Sequence, residues 1–568
     1  MYVGLDMSRR DVVIQVDHWH DAGGERMSVE VGNAEYHEAI IIGAGLSGIY
    51  QLYRLVELGM DVACLEAADD LGGTWYKNRY PGCRFDSESY TYGYSFSEEL
   101  LEEWHWSEHF SSQPENLRYL NHVAEKFDLR RHMQFGAKVD GALYDDGSST
   151  WTVNLLDGRS LSCRFLITAI GVLSTPTMPR IDGIDDFQGQ SFHTYNWPQE
   201  PVELAGKRVA VIGTGATAVQ LIAEIADKVG ELFVFQRRPN WCAPLHNAPI
   251  DEVEMAEIRS RYSEIFELCK KTPGGFIHRP DRRNLFEVPE EERYAFFEEL
   301  YASSGFRIWQ GNFRDVLMQE EANAEFSGFV AAKIRERVND PVVAEKLIPK
   351  DHGFGTRRVP METNYYEMYN RDNVHLVDIN DTPIERVTAS GLRTSECDYD
   401  VDLIVYATGF DAMTGAFDRM DFVGVGGQKL RDKWRDGPVT YLGLQVGGFP
   451  NMIMLAGPQA GSGFTNFGRG VEETVNWTTE LVRHARDHGH LSVDVTPEAE
   501  VEWGQHVADM YGLLLLGKVS SWFTGYNSNV EGHEEGKIRH VVYNGGAPRY
   551  RNRLAEVAEN HYDGFVFG

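Results

Sequence analysis

Three glycines, Gly43, Gly45 and Gly48, stand in G-x-G-x-x-G spacing directly after the apolar run at 39–42, and Glu66 follows 21 residues after Gly45. Glycines so placed let backbone N–H groups approach a pyrophosphate at a helix N-terminus. An acid at the end of the next strand accepts hydrogen bonds from a ribose diol. The pattern returns at 207–218, KRVAVIGTGATA, with Gly213, Gly215 and Ala218 in the three small-residue places, Thr214 between them and Gln220 shortly after. Here the second strand, ELFVFQ, runs into Gln236-Arg237-Arg238 instead of an acid. A carboxylate would repel a ribose 2′-phosphate, whereas guanidinium forks grip it. The first site is predicted to take FAD or NAD and the second NADP. The plainer alternatives are a ligand-free strand-to-helix turn at the first and two surface arginines at the second; strand, helix and acid arriving in order weigh against the former.

Two strand–helix–strand units must position these residues. After Gly45, apolar residues at Leu46, Ile49, Leu52, Leu55 and Val56 follow helical spacing, and DVACLEA reads as the next strand. AVQLIAEIADKV is the corresponding helix of the second unit. LITAIGVLS (166–174) and LIVYATGFDAMTG (403–415) read as strands ending at Gly171 and Gly409, where backbone is expected to pass close to something. The second of these lies far downstream, so the first unit is expected to be interrupted by the second. Charge runs through 251–350 read as solvated faces of an amphipathic helical insertion. The predicted fold is α/β, with two Rossmann-like dinucleotide-binding domains and a helical insertion. A polar extension covers 1–35. The first domain takes 36–170 and 401–568, including pocket loops; the second takes 171–250 and 351–400; the insertion takes 251–350.

Composition narrows the classes further. A chain of 568 residues exceeds one ordinary core and suggests about three or four domains or subdomains. Its 54 Lys+Arg against 86 Asp+Glu give a net charge of −32, which repels nucleic acid and anionic membranes. Anionic cofactors must therefore meet positive charge at particular arginines. Six scattered cysteines without a C-x-x-C pair argue against a disulfide framework, a zinc cluster or a dithiol redox centre. Charged residues through the first 36 positions break up any signal-peptide core, and no apolar run reaches membrane-span length. A cytoplasmic protein is expected, with no metal site; DVVIQV (11–16) could add a strand, and His18-Trp19-His20 reads as a surface accident.

Between the two glycine motifs lies FQGQSFHTYNWP (187–198), with Phe187, Gly189, His193, Trp197 and Pro198. Nothing in strand or helix patterning demands it, and a segment joining two dinucleotide units can be a hinge. Together with GGTWYKNRYPGCRFDSES (72–89), GTRR (355–358), ATGFDAMTGA (407–416) and SSWFTGYN (520–527), it gives a specific pattern. The chain resembles the type I Baeyer–Villiger monooxygenases, most closely the group with phenylacetone and steroid monooxygenases. The likeness runs from about Tyr36 to the carboxyl terminus. The F-x-G-x-x-x-H-x-x-x-W-P motif is that family's mark against flavin N- and S-oxygenases.

The resemblance implies FAD and NADPH as cofactors, and a ketone and O2 as small-molecule partners. It implies a flavin C4a-peroxide that attacks the carbonyl, leaving an ester or lactone. Arg358 matches the catalytic arginine, permanently charged and able to stabilise the peroxyanion and then the adduct oxygen. Asp86 matches the acid that orients it, Arg357 should face the 2′-phosphate beside Arg237, and Trp75 and Tyr92 match residues near the flavin. His193 is expected to couple cofactor movement to catalysis as a packed residue away from the reacting atoms. By composition alone, Arg358 would read as an ordinary ion pair and Asp86 as a turn cap. The pocket is assigned to Ser462, Gly463, Phe464 and Trp522, where AGSGFTNF (460–467) departs from the Pro-Ser turn common in relatives. Gly461 and Gly463 loosen this loop, and YNSNVEGHEEGK (526–537) is long and polar, which favours bulky cyclic ketones unless Phe464 and Phe467 fill the space. The competing functions are N- or S-oxygenation and a non-catalytic NADPH-sensing flavoprotein; oligomeric state is open.

Overall fold

The computed structural model describes residues 35–460, 465–533 and 535–568. The expected strand at 11–16, His18-Trp19-His20, and the pocket residues Ser462, Gly463 and Phe464 lie outside the described residues.

The first unit opens with strand β1 (Glu35–Ile42), helix α1 (Leu46–Glu57) and strand β2 (Val62–Leu65). It continues through β3 (Met133–Gln134), β4 (Val139–Asp145), β5 (Thr150–Leu155) and β6 (Ser160–Thr168). The second unit holds β7 (Gln190–His193), β8 (Arg208–Ile212), helix α2 (Ala216–Ile225), β9 (Glu231–Gln236), β10 (Val374–Asp378) and β11 (Leu403–Tyr406). The chain then returns through β12 (Asp421–Val423), β13 (Met452–Met454) and the long helix α3 (Phe467–Asp487).

Two sheets follow from this order. The first runs β12-β4-β5-β6-β1-β2-β3, with β13 also paired to β6. Strand β6 changes neighbours along its length: Leu161 to Cys163 pair with the antiparallel β5, and Leu166 to Thr168 with the parallel β13. The second sheet, β10-β9-β8-β11-β7, is wholly parallel. Parallel strands covered on both faces must be apolar throughout, and residues 39–41 and 209–211 are all fully buried. Helix α1 buries Ile49, Leu52 and Leu55 completely, each worth roughly 1.5–3 kcal/mol. On its other side the Gln51 side-chain amide donates to the Thr479 hydroxyl of α3 at 3.0 Å, while its buried carbonyl oxygen has no partner among the described residues.

Three expectations change. The strand in 403–415 does not begin the return to the first unit: β11 pairs with β8 and β7 inside the second sheet, and the first sheet regains the chain only at Asp421. The chain thus leaves the second sheet after Tyr406 and rejoins the first at Asp421. The segment 190–193 is an edge strand, not a bare linker; four residues are too few to show a period in the sequence. Gly171 and Gly409 mark turns with φ of +79° and +83°, and an added Cβ at Gly409 would meet nothing among the described residues. The close approaches lie two residues earlier, where the carbonyls of Ala169 and Ala407 press on Gly43 and Gly213.

Between β9 and β10 the helices Glu252–Ser260, Tyr262–Lys271, Glu290–Tyr301 and Glu320–Arg337 fill the expected helical stretch. Asp251 caps the first of them through Val253 and Glu254 N–H. Among the described residues no helix is long and apolar enough to cross a membrane.

Candidate functional site

The first glycine motif forms a tight cradle. Gly43 has φ of +105°, and a Cβ there would lie 2.5 Å from the Ala169 carbonyl oxygen. A Cβ on Gly48 would lie 1.8 Å from the Gly43 carbonyl oxygen. Gly45 is the N-cap of α1 and provides no side chain, so the first-turn amides are left for a ligand. Glu66, at the end of β2 and 8% exposed, accepts from Ala44 N–H and from Ala68 N–H, each at 2.8 Å. One lone pair of each oxygen is thereby fixed, and the carboxylate is oriented for a ribose diol. These residues fit FAD: the backbone is bare where a pyrophosphate must approach, and the acid is preorganised.

The second motif is looser. Gly213 carries φ of +114° against the Ala407 carbonyl, but a Cβ on Gly215 would meet nothing among the described residues. Ala218 is fully buried in the third small-residue place. Thr214 donates through its hydroxyl to the Arg238 carbonyl at 2.8 Å, tying the glycine turn to the strand end that bears the arginines. Gln220 does interdomain work: it accepts from the Tyr80 hydroxyl at 2.9 Å and donates to the Arg84 carbonyl at 3.1 Å, both in the first unit.

Around the end of β9 three guanidinium groups gather, each with its own partner. Arg237 donates to the Ser528 hydroxyl; Arg238 lies 3.3 Å from Glu535 and 5.6 Å over the Tyr526 ring; Arg357 donates to Asp351 at 3.0 Å. Asp351 also accepts from His352 Nδ1 at 2.7 Å. That bond above all, with Arg357 beside it, holds the Asp351 carboxyl well below the usual carboxylate range. Burial pushes Arg357 below its ordinary value, opposed by Asp351 and reinforced by Arg238. Arg238 and Arg357 lie within electrostatic reach of each other and of Asp351, and Arg237 precedes Arg238 at the strand end, so positive charge is concentrated here in a chain of net charge −32, where a 2′-phosphate would fit.

Asp86 and Arg358 meet between the two units. One terminal nitrogen of Arg358 donates to both Asp86 oxygens, at 2.6 and 2.8 Å. The guanidinium also lies 5.0 Å over the Phe306 ring. Asp86 is nearly buried, whereas the arginine side chain is 29% exposed. Both line a cavity of about 1140 Å³ that reaches the first glycine cradle, Gln220 and Trp522. Beside them, Trp75 donates its indole N–H to the Tyr92 hydroxyl at 2.7 Å, and Phe85 lies 4.0 Å from the Tyr92 ring. Trp75 and Tyr92 line the same cavity. The loop bearing Arg357 and Arg358 is pinned by Asn240, which donates to the Arg358 carbonyl at 3.2 Å, and by the short parallel pairing of Ala243 with Met361.

His193 ends the edge strand opposite Tyr406. Its Nε2 donates to the Gly409 carbonyl and its Nδ1 accepts from Tyr195 N–H, each at 3.1 Å. Burial pushes this imidazole down to about 4, so the neutral ring joins the strand to the turn after β11. Phe187 packs where a Cβ on Gly189 would stand, 2.4 Å from its ring, and Trp197 is buried beside Phe192. Sequence reasoning missed Phe306 beneath Arg358, the Asp351–His352 pair behind Arg357, and the reach of Ser528 and Glu535 to the arginines. The first two come from the insertion and a loop without periodicity, and the last two lie almost 300 residues from their partners in the chain.

Comparison with known proteins agrees with this geometry. The model of the FMO-like, flavin-binding monooxygenase-like family matches residues 37–255. The chain is 48% identical to a 2-oxo-Δ3-4,5,5-trimethylcyclopentenylacetyl-CoA monooxygenase of Pseudomonas putida over 93% of its own length and 98% of that protein. It is 38% identical to the phenazine N-monooxygenase PhzNO1 of Lysobacter antibioticus, over 94% of this chain and 98% of that one. Among solved structures, a complex of OTEMO with FAD and NADP superposes with a TM-score of 0.91 at 47% identity, covering 94% of this chain and all of that chain.

Proposed function

The chain belongs to the Baeyer–Villiger monooxygenases within the flavin-binding monooxygenases, and on that premise we propose the roles its own residues take and the class of ketone it accepts. As a member, it uses FAD, NADPH and O2 to insert one oxygen beside a ketone carbonyl, giving an ester or lactone. Bound flavin, reduced by the nicotinamide, supplies the activation of O2. The protein supplies position and charge.

Gly43, Gly45, Gly48 and Glu66 hold the FAD pyrophosphate and ribose, and Trp75 and Tyr92 line the flavin end. Gly213, Thr214, Gly215 and Ala218 receive the NADPH pyrophosphate at the start of α2. Arg237, Arg238 and Arg357 receive the 2′-phosphate. Arg358 stabilises the anionic oxygen that develops on the ketone as its carbonyl is attacked. A guanidinium stays charged at any working pH, so it can serve without a proton transfer of its own. Asp86 orients it: both carboxylate oxygens accept from one guanidinium nitrogen, which fixes the arginine at the cavity wall. The observation that carries this reading is the Asp86–Arg358 pair opening on a cavity shared with the first glycine cradle.

The substrate we propose is a cyclic or bulky ketone, with Trp522 at the pocket wall; Ser462, Gly463 and Phe464 are proposed from the sequence alone as further pocket residues. Support comes from the cavity volume and from relatives named for cyclopentanone, cyclohexanone and a cyclopentenyl ketone. Product analysis with NADPH across small cyclic, macrocyclic, aryl and steroid-like ketones tests it. Lactones from ring ketones are expected, and oxidation of short acyclic ketones alone would overturn the substrate class. Oxygen transfer to nitrogen is a second activity with specific support, because one relative is an N-monooxygenase of full length. An N-oxide from a heteroaromatic amine would establish it, and unchanged amine alongside ketone turnover would dismiss it.

A further inference from the structure

Two residues after Asp86, Glu88 enters the interior, 4% exposed in its side chain. One of its oxygens accepts from His278 Nε2 at 2.8 Å; the other is buried and has no hydrogen-bond partner among the described residues. His278 is itself 9% exposed and belongs to the insertion, two residues after Phe276. The same carboxylate lies over Gly305, where a Cβ would stand 3.2 Å from it and 2.7 Å from the Phe110 ring. The residue after Gly305 is Phe306, whose ring packs on Phe276 at 5.1 Å and lies beneath the Arg358 guanidinium. Glu88 therefore joins three strips of chain behind the reacting region: the Asp86 loop, the strip at 276–278 and the strip at 305–306.

A half-satisfied buried carboxylate is a poor way to gain stability, since the orphan oxygen loses its hydration without return. Its usefulness lies in geometry. We infer that the buried Glu88–His278 pair is a positioning device for Arg358, fixing the Phe306 ring of the insertion against the Asp86 loop so that the guanidinium is held between carboxylate and ring. The inference rests on the proposed role of Arg358. Neither Glu88 nor His278 is a catalytic residue; both act through Phe306. Gly305, with φ of +60° and no room for a side chain, lets the strip pass under the carboxylate.

The test uses the flavin-loaded full-length enzyme and reads product formed per NADPH consumed. His278→Leu removes the donor at similar volume, and His278→Gln restores one N–H. Product per NADPH should fall at least fivefold in His278→Leu, with flavin content and the KM for NADPH unchanged, and His278→Gln should recover at least half of the loss. Phe306→Leu should reproduce the loss, and the double variant should be no worse than either single one, because both act on one contact. Arg358→Ala runs beside them. Coupling within twofold of the parent in His278→Leu or Phe306→Leu, while Arg358→Ala loses product, would overturn the positioning role and leave the arginine's role standing. Additive losses in the double variant would also overturn it. Full coupling in Arg358→Ala would instead overturn the reading on which it rests. Should His278→Leu fail to retain flavin, Phe306→Leu alone decides by the same criterion.

Discussion

The two glycine-rich sites share a plan and differ in how tightly it is executed. At the first, a Cβ has no room on Gly43 or Gly48, and the one acid is buried with each oxygen already held by a backbone amide. At the second, Gly213 is crowded by the Ala407 carbonyl as Gly43 is by that of Ala169, but a Cβ on Gly215 would meet nothing among the described residues, the third small residue is an alanine, and the cations are held by side chains brought from elsewhere. A cradle with fixed polar groups and no slack retains its ligand. A cluster of cations paired with Ser528, Glu535 and Asp351 must exchange those partners for a phosphate, and such a site is suited to a ligand that comes and goes. This difference matches what a monooxygenase asks of a resident flavin and a consumed nicotinamide.

The sharpest way to break this comparison is to add one methyl group to each site. Gly48→Ala would put a Cβ on the Gly43 carbonyl, so the purified protein should carry essentially no flavin by absorbance per chain. Gly215→Ala meets no obstacle among the described residues and should keep flavin and change NADPH efficiency by less than about threefold. Equal damage from both would erase the distinction.

Next in size is the loss of a cation. A charge-assisted hydrogen bond is worth roughly 1.5–3 kcal/mol, so Arg237→Ala should cost about ten- to a hundredfold in kcat/KM for NADPH and leave NADH use nearly unchanged. A parent enzyme equally efficient with both coenzymes would remove the 2′-phosphate assignment.

A smaller effect of opposite sign is expected at Glu535. Its carboxylate competes with a phosphate for Arg238, but the pair is exposed, and exposed pairs are worth about 0–1 kcal/mol. Glu535→Gln should lower the KM for NADPH up to about fivefold, most visibly at low salt, without altering the KM for NADH. A raised KM would make the acid a helper and not a competitor.

A further effect, read as stability and not as turnover, concerns His193. Its folded pKa of about 4 lies below the ordinary value of about 6.5, so the unfolded chain takes up the proton first as pH falls. The stability tied to the neutral ring is full above about pH 6.5 and is lost progressively toward pH 4. In His193→Gln the melting temperature should fall less between pH 6.5 and 5 than in the parent, with flavin retained. An identical pH dependence in both would mean that the ring protonates freely in the folded state.

How much of this was legible in the sequence follows from what each signal needs. The glycine cradles, Glu66 and the arginines after β9 are encoded locally, in spacing and order, and the sheets bear out both units. Strand β7 was hidden because its four residues draw their order from β11, more than 200 positions away. The same distance hid the membership of β11: an apolar strand ending in glycine names no sheet. Phe306, Asp351 and Glu535 were beyond reach because contacts with arginine follow from the folding of loops and insertion, where no period exists to count. Arg358 and Asp86 were singled out through motif likeness, and the structure pairs them; by composition alone they would have read as an ordinary ion pair and a turn cap.

The central claim is that Arg358 carries the oxygen-insertion step, and product formed per NADPH consumed by flavin-loaded Arg358→Ala tests it most directly. Removing one preorganised oxyanion donor typically costs a hundred- to a thousandfold, about 3–4 kcal/mol. The account predicts retained FAD, continuing NADPH oxidation with release of hydrogen peroxide, and almost no ester or lactone, with a milder loss in Asp86→Ala. Near-normal oxygenation of a ketone by Arg358→Ala would contradict it.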